Sequence, residues 1–330
     1  MSQPITVDPR AFSRGRHAYA AALIRRMNEM TTLEELNRRF GGVEGVKFCP
    51  SAELYPDLEG SLPVLVVENR LGRMAMTPYG AHILSFQPAG GADMLWLSPL
   101  CRMIAGQPIR GGIPLCMPWF GLHPQGLPQH GFARITDWSL DRVESLPDGG
   151  TALSLSLSDS EATRHMWPHR FVFRLDVRVG RELTITMSVT NTGDDAMPLA
   201  FAFHTYFAVG EVTRTRVLGL DGIPYVDRLD AQKRKVQSGE LPVPGEIQRL
   251  YFDVPRVQRI ESPLASYRIE SGMSGVLVWN CGDNDRAVAD IGEGNHKTYV
   301  CVERLDVEDW SVRVAAGDRY DATMTLAVEP

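Results

Sequence analysis

The stretch FVFRLDVRVGRELTITMSVTNTG (171–193) decides the fold class. Phe171 to Val179 alternates apolar with mostly polar residues, Leu183 to Val189 does the same, and Gly180-Arg181 joins the two runs. A two-residue period is that of a half-buried β-strand, so the stretch predicts a hairpin, closed at its far end by Asn191-Thr192-Gly193. The pattern extends outward. Leu153, Leu155 and Leu157 interleave with Ser154, Ser156 and Ser158, and Tyr320, Ala322, Met324, Leu326 and Val328 repeat the alternation near the C-terminus. Many short strands with Gly, Pro and Asp turns, and no helices alternating with them, predict an all-β antiparallel sandwich.

Helix formers concentrate at the other end. Residues from about 10 to 40 read as helical, Thr32-Leu33-Glu34-Glu35 has capping-box spacing, and Gly41-Gly42 ends the run. The expected organisation is a short helical N-terminal extension and linker over 1–61, then one β domain over 62–330.

Composition narrows the function classes. The 330 residues include 44% hydrophobic and 22% charged, enough for a sizeable core without disulfides or metal. Lys plus Arg number 34 against 40 Asp plus Glu, a net charge of −6, which disfavours a nucleic-acid surface. Five cysteines (Cys49, Cys101, Cys116, Cys281, Cys301) without CxxC spacing fit free thiols in a reducing compartment. There is no run of 18 apolar residues and no secretory h-region, and the Arg-rich segment 10–27 leads straight into a helix instead of a cleavage site. A cytoplasmic monomer without nucleic-acid or membrane contact is expected.

Three segments stand out from the strand-and-turn background. IRGGIPLCMPWFG (109–121) runs into LPQHGFAR (127–134); FAFHTYF (201–207) and TYVCVERL (298–305) follow. Arg110 precedes Gly111-Gly112, so a guanidinium and bare backbone N–H groups could meet an anion together, and Arg134 offers a second planar fork; both arginines could equally brace loops. His204 sits among Phe201, Phe203, Tyr206 and Phe207, surroundings that lower an imidazole pKa from its ordinary value of about 6.5 or simply mark a core residue. Glu303 ends an apolar run and must be exposed, paired or functional. His165 and His169 have metal-ligand spacing, but Pro168 between them breaks the helix this would need, so no metal site is expected there.

Taken together, RGGIP-x-C-x-PWFG, LP-x-HGFAR, FHTYF and VCVE, in that order, resemble the hexose-6-phosphate mutarotase branch of the aldose 1-epimerase family, with WLSP (96–99) and VWN (278–280) as further landmarks. The likeness runs from about residue 62 to 330. It implies a galactose mutarotase-like β-supersandwich with a sugar cleft, His204 as general acid, Glu303 as general base, His130 as a histidine orienting the sugar, and Arg110 with Arg134 as the residues that select a sugar phosphate. Asp221, in GLDG, corresponds to a hydroxyl-binding position. The implied reaction is exchange of α and β anomers of a hexose 6-phosphate, D-glucose 6-phosphate first among them, without cofactor or metal. An epimerase for another sugar, or a carbohydrate-binding module on the same scaffold, are the rival readings. Arg304-Leu305-Asp306 after the glutamate, and Cys281-Gly282 after VWN, depart from the family pattern and bear on the substrate more than on the chemistry.

Overall fold

The computed structural model describes residues 32–329. The stretch 171–193 forms the expected hairpin: Phe171–Val179 pairs antiparallel with Leu183–Asn191, Val179 opposite Leu183 and Phe171 opposite Asn191. Around it a nine-stranded antiparallel sheet assembles, in the order 241–242, 216–218, 257–261, 266–271, 319–329, 183–191, 171–179, 151–158 and 139–145. Phe171, Phe173, Leu175, Val177 and Val179 all point inward and are buried, as the period of two requires.

A second sheet of eight strands packs on that inner face. Its order is 233–236, 224–227, 247–252, 275–280, 299–306, 201–203 and 115–116, with 206–208 also pairing with 299–306. The alternation along Tyr299–Asp306 shows how it divides its side chains. Val300 and Val302 enter the common core with Phe173, Ile185 and Met324 from the nine-stranded sheet. Tyr299 and Cys301 join a cluster on the opposite face with Trp96, Tyr206 and Cys281, and Leu305 joins another with Cys116, Ala202, Leu250 and Leu277. Both faces of this sheet are therefore covered, so every residue of the strand is buried. Each large apolar side chain so buried contributes roughly 1.5–3 kcal/mol.

A four-stranded sheet, 46–50, 63–69, 72–77 and 82–88, completes the architecture. Of the helix expected over residues 10–40, the part before Thr32 lies outside the described residues. Leu33–Phe40 is helical, Thr32 Oγ1 accepts the Glu35 N–H at 3.2 Å, and Gly41 donates its N–H to Asn37 O. This helix does not stand apart. Leu36 is buried in the common core with Phe48, and Val46–Pro50 forms the ladder's edge against Pro63–Asn69. The described part of the 1–61 extension is thus packed against the β domain expected from residue 62, with strand 46–50 covering the edge of strand 63–69.

Candidate active site

Two strand segments, Phe201–Phe203 and Tyr206–Ala208, run along Tyr299–Asp306 in one continuous antiparallel register: Phe203 faces Arg304 and Tyr206 faces Cys301. Between those pairs His204 falls opposite Glu303, and Val302 N–H donates to Thr205 O. Cross-strand neighbours share a face, here the one turned away from the nine-stranded sheet. His204 Nε2 lies 3.4 Å from Glu303 Oε1. Both are nearly enclosed, at 7% and 0% exposure. Among the described residues neither Glu303 oxygen nor His204 Nδ1 has a hydrogen-bond partner.

Burial penalises both charged forms. It holds His204 well below the ordinary imidazole range, helped by the charges of His130, Arg134 and Arg110, and it pushes Glu303 well above the carboxylate range against the pull of Arg228 and Arg134. Each group is thus disposed toward its neutral form by burial.

The ring of Tyr206 stacks on that of His204, centroids 4.9 Å apart and planes 7° from parallel. Its hydroxyl accepts from Arg110 Nη1 at 2.9 Å, while Arg110 Nε donates to Asp290 Oδ2 at 3.1 Å. Burial opposes the charge of Arg110, but Tyr206 and Asp290 more than compensate and keep it protonated. The Gly111-Gly112 pair serves packing instead of an anion. Gly112 has φ 62°, its N–H is spent on Trp96 O, and a Cβ there would sit 2.2 Å from Ile83 O. His82 Nε2 is 2.8 Å from Gly111 O and steadies the same turn; burial lowers its pKa to about 4.

His130 comes to the cluster from the 121–132 loop, its ring 5.7 Å from that of His204 and edge-on to Phe120. Its Nδ1 accepts Gly121 N–H, and burial with Arg134, Arg110 and Arg228 lowers its pKa to about 3. Arg134 is buried, with Nη2 donating to Gln129 O. The structure thus gathers His204, Glu303, His130, Arg110 and Arg134 in one place. Asp221 is exposed in the turn before strand 224–227, where its carboxylate accepts Gly239 N–H at 2.6 Å.

Sequence reasoning missed Arg228, Asp290 and Cys301. Arg228 follows strand 224–227, is paired with Glu308, and adds to the positive field on Glu303 and His130. Asp290 arrives on the 281–298 segment, which the pairing of Asp285 Oδ2 with His296 Nδ1 at 2.6 Å holds in shape. Cys301 sits two residues before Glu303 on the same face, its thiol with His204 and Glu303 in a group whose ligand atoms lie within 4.8 Å of one another. The departure at Arg304 points the other way. Its buried guanidinium is bound by Pro255 O, Ser271 O, Met273 O and Gln258 Oε1, so it braces loops behind the site.

With this geometry in place, the comparison with known proteins is direct: the aldose 1-epimerase pattern matches residues 63–327. The chain belongs to the aldose 1-epimerase family. A protein of Cenchrus ciliaris provisionally named glucose-6-phosphate 1-epimerase is 32% identical over 294 residues, 85% of this chain and 89% of that one. An Escherichia coli K12 protein with the same provisional name is 35% identical over 248 residues, 73% and 82% of the two chains. The crystal structure of a Salmonella typhimurium protein described provisionally as a mutarotase superposes with a TM-score of 0.77 at 29% identity, covering 84% of this chain and 98% of that one. The fold is accordingly the galactose mutarotase-like β-supersandwich, and mutarotase activity, the exchange of sugar anomers, follows from family membership.

Proposed function

We propose that this aldose 1-epimerase family member interconverts the α and β anomers of a hexose 6-phosphate, D-glucose 6-phosphate above all, with His204 as acid and Glu303 as base. The observation that carries the reading is the His204–Glu303 pair, 3.4 Å apart, buried, and under the charges of Arg110, Arg134 and Arg228. Anomerisation requires the ring oxygen to gain a proton while the C1 hydroxyl loses one. Those two oxygens are bonded to the same carbon, so a donor and an acceptor a few ångström apart match them. His204 gives its proton to the ring oxygen, Glu303 takes that of the C1 hydroxyl, the chain form rotates about C1–C2, and the reverse transfers close the other anomer. Each positioned transfer is worth about 10²- to 10⁴-fold.

Arg110, Arg134 and Arg228 supply the positive field that suits a phosphate dianion. The phosphate does not react; its binding energy holds C1 in register with the pair, and His130 orients the ring hydroxyls. The residues named need no cofactor for this chemistry. The names of the Cenchrus ciliaris and Escherichia coli relatives support the sugar phosphate as substrate. Anomer exchange followed by NMR with glucose 6-phosphate and with glucose tests the reading. The phosphate ester should turn over far faster; equal rates would contradict the phosphate part, and no acceleration of either would contradict the whole.

A further inference from the structure

Cys301 has no part in the proton transfers, yet its thiol stands beside both groups that do. On strand 299–306 it shares the face of Glu303, and its cross-strand neighbour is Tyr206, two residues from His204. We propose that His204, Cys301 and Glu303 form a site for a thiophilic divalent cation, Zn²⁺ by its ligand set, and that the bound metal blocks turnover by occupying the acid/base pair.

The geometry carries this. Two ligands of one tetrahedral zinc, a nitrogen and an oxygen each about 2.1 Å from the metal, stand about 3.4 Å apart. His204 Nε2 and Glu303 Oε1 are 3.4 Å apart. The sulfur belongs about 3.6 Å from either, and the whole triad lies within 4.8 Å, so the thiol has to close a gap of at most about 1.2 Å. Both carboxylate oxygens lack any partner among the described residues, which leaves them available as ligands. A thiolate, an imidazole and a carboxylate favour zinc over the hard cations magnesium and calcium. Three protein ligands leave a fourth position for water or a sugar hydroxyl.

Metal binding stands on this geometry alone, whereas the block of turnover rests on the acid/base reading, and the test keeps the two apart. Co²⁺ added to the metal-free protein should give a thiolate-to-cobalt charge-transfer band with the d–d bands of a four-coordinate ion, and Zn²⁺ should bleach them. Zn²⁺ should inhibit anomer exchange, a chelator should restore it, and Mg²⁺ should have no effect. Cys301→Ser should keep turnover, lose the cobalt band and weaken zinc inhibition by at least the roughly 10- to 100-fold that follows loss of a mere outer-shell partner. Cys281→Ser, altering the buried thiol that touches Tyr299, should change neither. If Cys301→Ser does not fold, Cys301→Ala and the wild-type spectrum decide. No thiolate band in the wild type, or zinc inhibition undiminished in Cys301→Ser, overturns the site. A band that depends on Cys301 without inhibition keeps the site and overturns the acid/base assignment of His204 and Glu303.

Discussion

His204 and Glu303 are cross-strand partners: Phe203 opposite Arg304 and Tyr206 opposite Cys301 fix the register on either side of them. Their separation is therefore set by the register of the strand segments that flank His204 and by its N–H bond to Pro114 O. A site built on strands holds its geometry more tightly than one built on loops. The groups proposed to bind the rest of the substrate come from elsewhere. Arg110, His130 and Arg134 lie on the 109–134 segment, Arg228 follows strand 224–227, and Asp290 lies on the 281–298 segment.

Arg110→Ala should lower kcat/KM for glucose 6-phosphate by about 10- to 100-fold, the equivalent of one lost charge-assisted interaction of roughly 1.5–3 kcal/mol, and change it much less for glucose. Tyr206→Phe should act in the same direction but more weakly, since Arg110 keeps its bond to Asp290 while the stack on His204 survives. Rates for both sugars across the two variants check this. An equal loss for both sugars would place Arg110 in the chemistry instead of the phosphate site.

The pH dependence of exchange should be bell-shaped, with apparent pKa values that belong to the His204–Glu303 pair as a unit. Activity falls in acid when the second proton joins the pair, and because burial and neighbouring cations resist that charge, this limb lies below the ordinary imidazole value of about 6.5. It falls in base when the last proton leaves, and burial of Glu303 places that limb above the ordinary carboxylate range. A profile with an ordinary carboxylate acid limb and no alkaline fall would contradict the assignment of the pair as acid and base.

Stability in acid should carry the signature of His82. Burial lowers its pKa from 6.5 to about 4, so the unfolded chain binds a proton that the folded one refuses, and its contribution is present above pH 6.5 and lost as the pH falls toward 4. The loss is roughly 3 kcal/mol at about 1.36 kcal/mol per pKa unit. Asp93, which burial pushes up to about 6, works in the opposite sense, its contribution being greatest in acid and lost as the pH rises through 6. The readout is therefore the difference between wild type and His82→Gln in denaturant unfolding from pH 4 to 7. Parallel profiles would contradict the assignment.

A chain starting at Leu62 lacks strand 46–50 and the core residues Leu36 and Phe48, and uncovers the edge of strand 63–69. It should melt at lower temperature and self-associate. Size-exclusion chromatography and thermal circular dichroism check this, and a monomer with an unchanged melt would show that residues 1–61 are a separate extension after all.

How far the sequence could be read follows from what each feature depends on. The hairpin 171–191 is local, and its alternation specifies both strands and their register. His204, Glu303, His130, Arg110 and Arg134 lay in motifs whose order resembles one family, and the structure gathers all five. Asp221 lies outside those motifs, in a turn whose carboxylate accepts Gly239 N–H. The glycines at 111 and 112 suggested an anion cradle, yet only the approach of Trp96 and Ile83, distant in sequence, reveals the packing that demands them. Arg228 and Asp290 lie outside the motifs, and Cys301, although inside VCVE, had no role attached to it. They enter the site through contacts between segments far apart in the chain, which periodicity within a strand does not report.

The central claim is that His204 and Glu303 move the protons, and saturation-transfer NMR between the two anomeric protons of glucose 6-phosphate tests it most directly. Glu303→Gln keeps the side chain's shape without the base, and His204→Asn keeps a polar group without the proton donor. Each should remain folded and slow exchange by roughly 10²- to 10⁴-fold once the spontaneous rate is subtracted. Because the two act in one cycle, the double variant should be little worse than the poorer single one. Near-wild-type exchange in a folded Glu303→Gln protein would contradict the account.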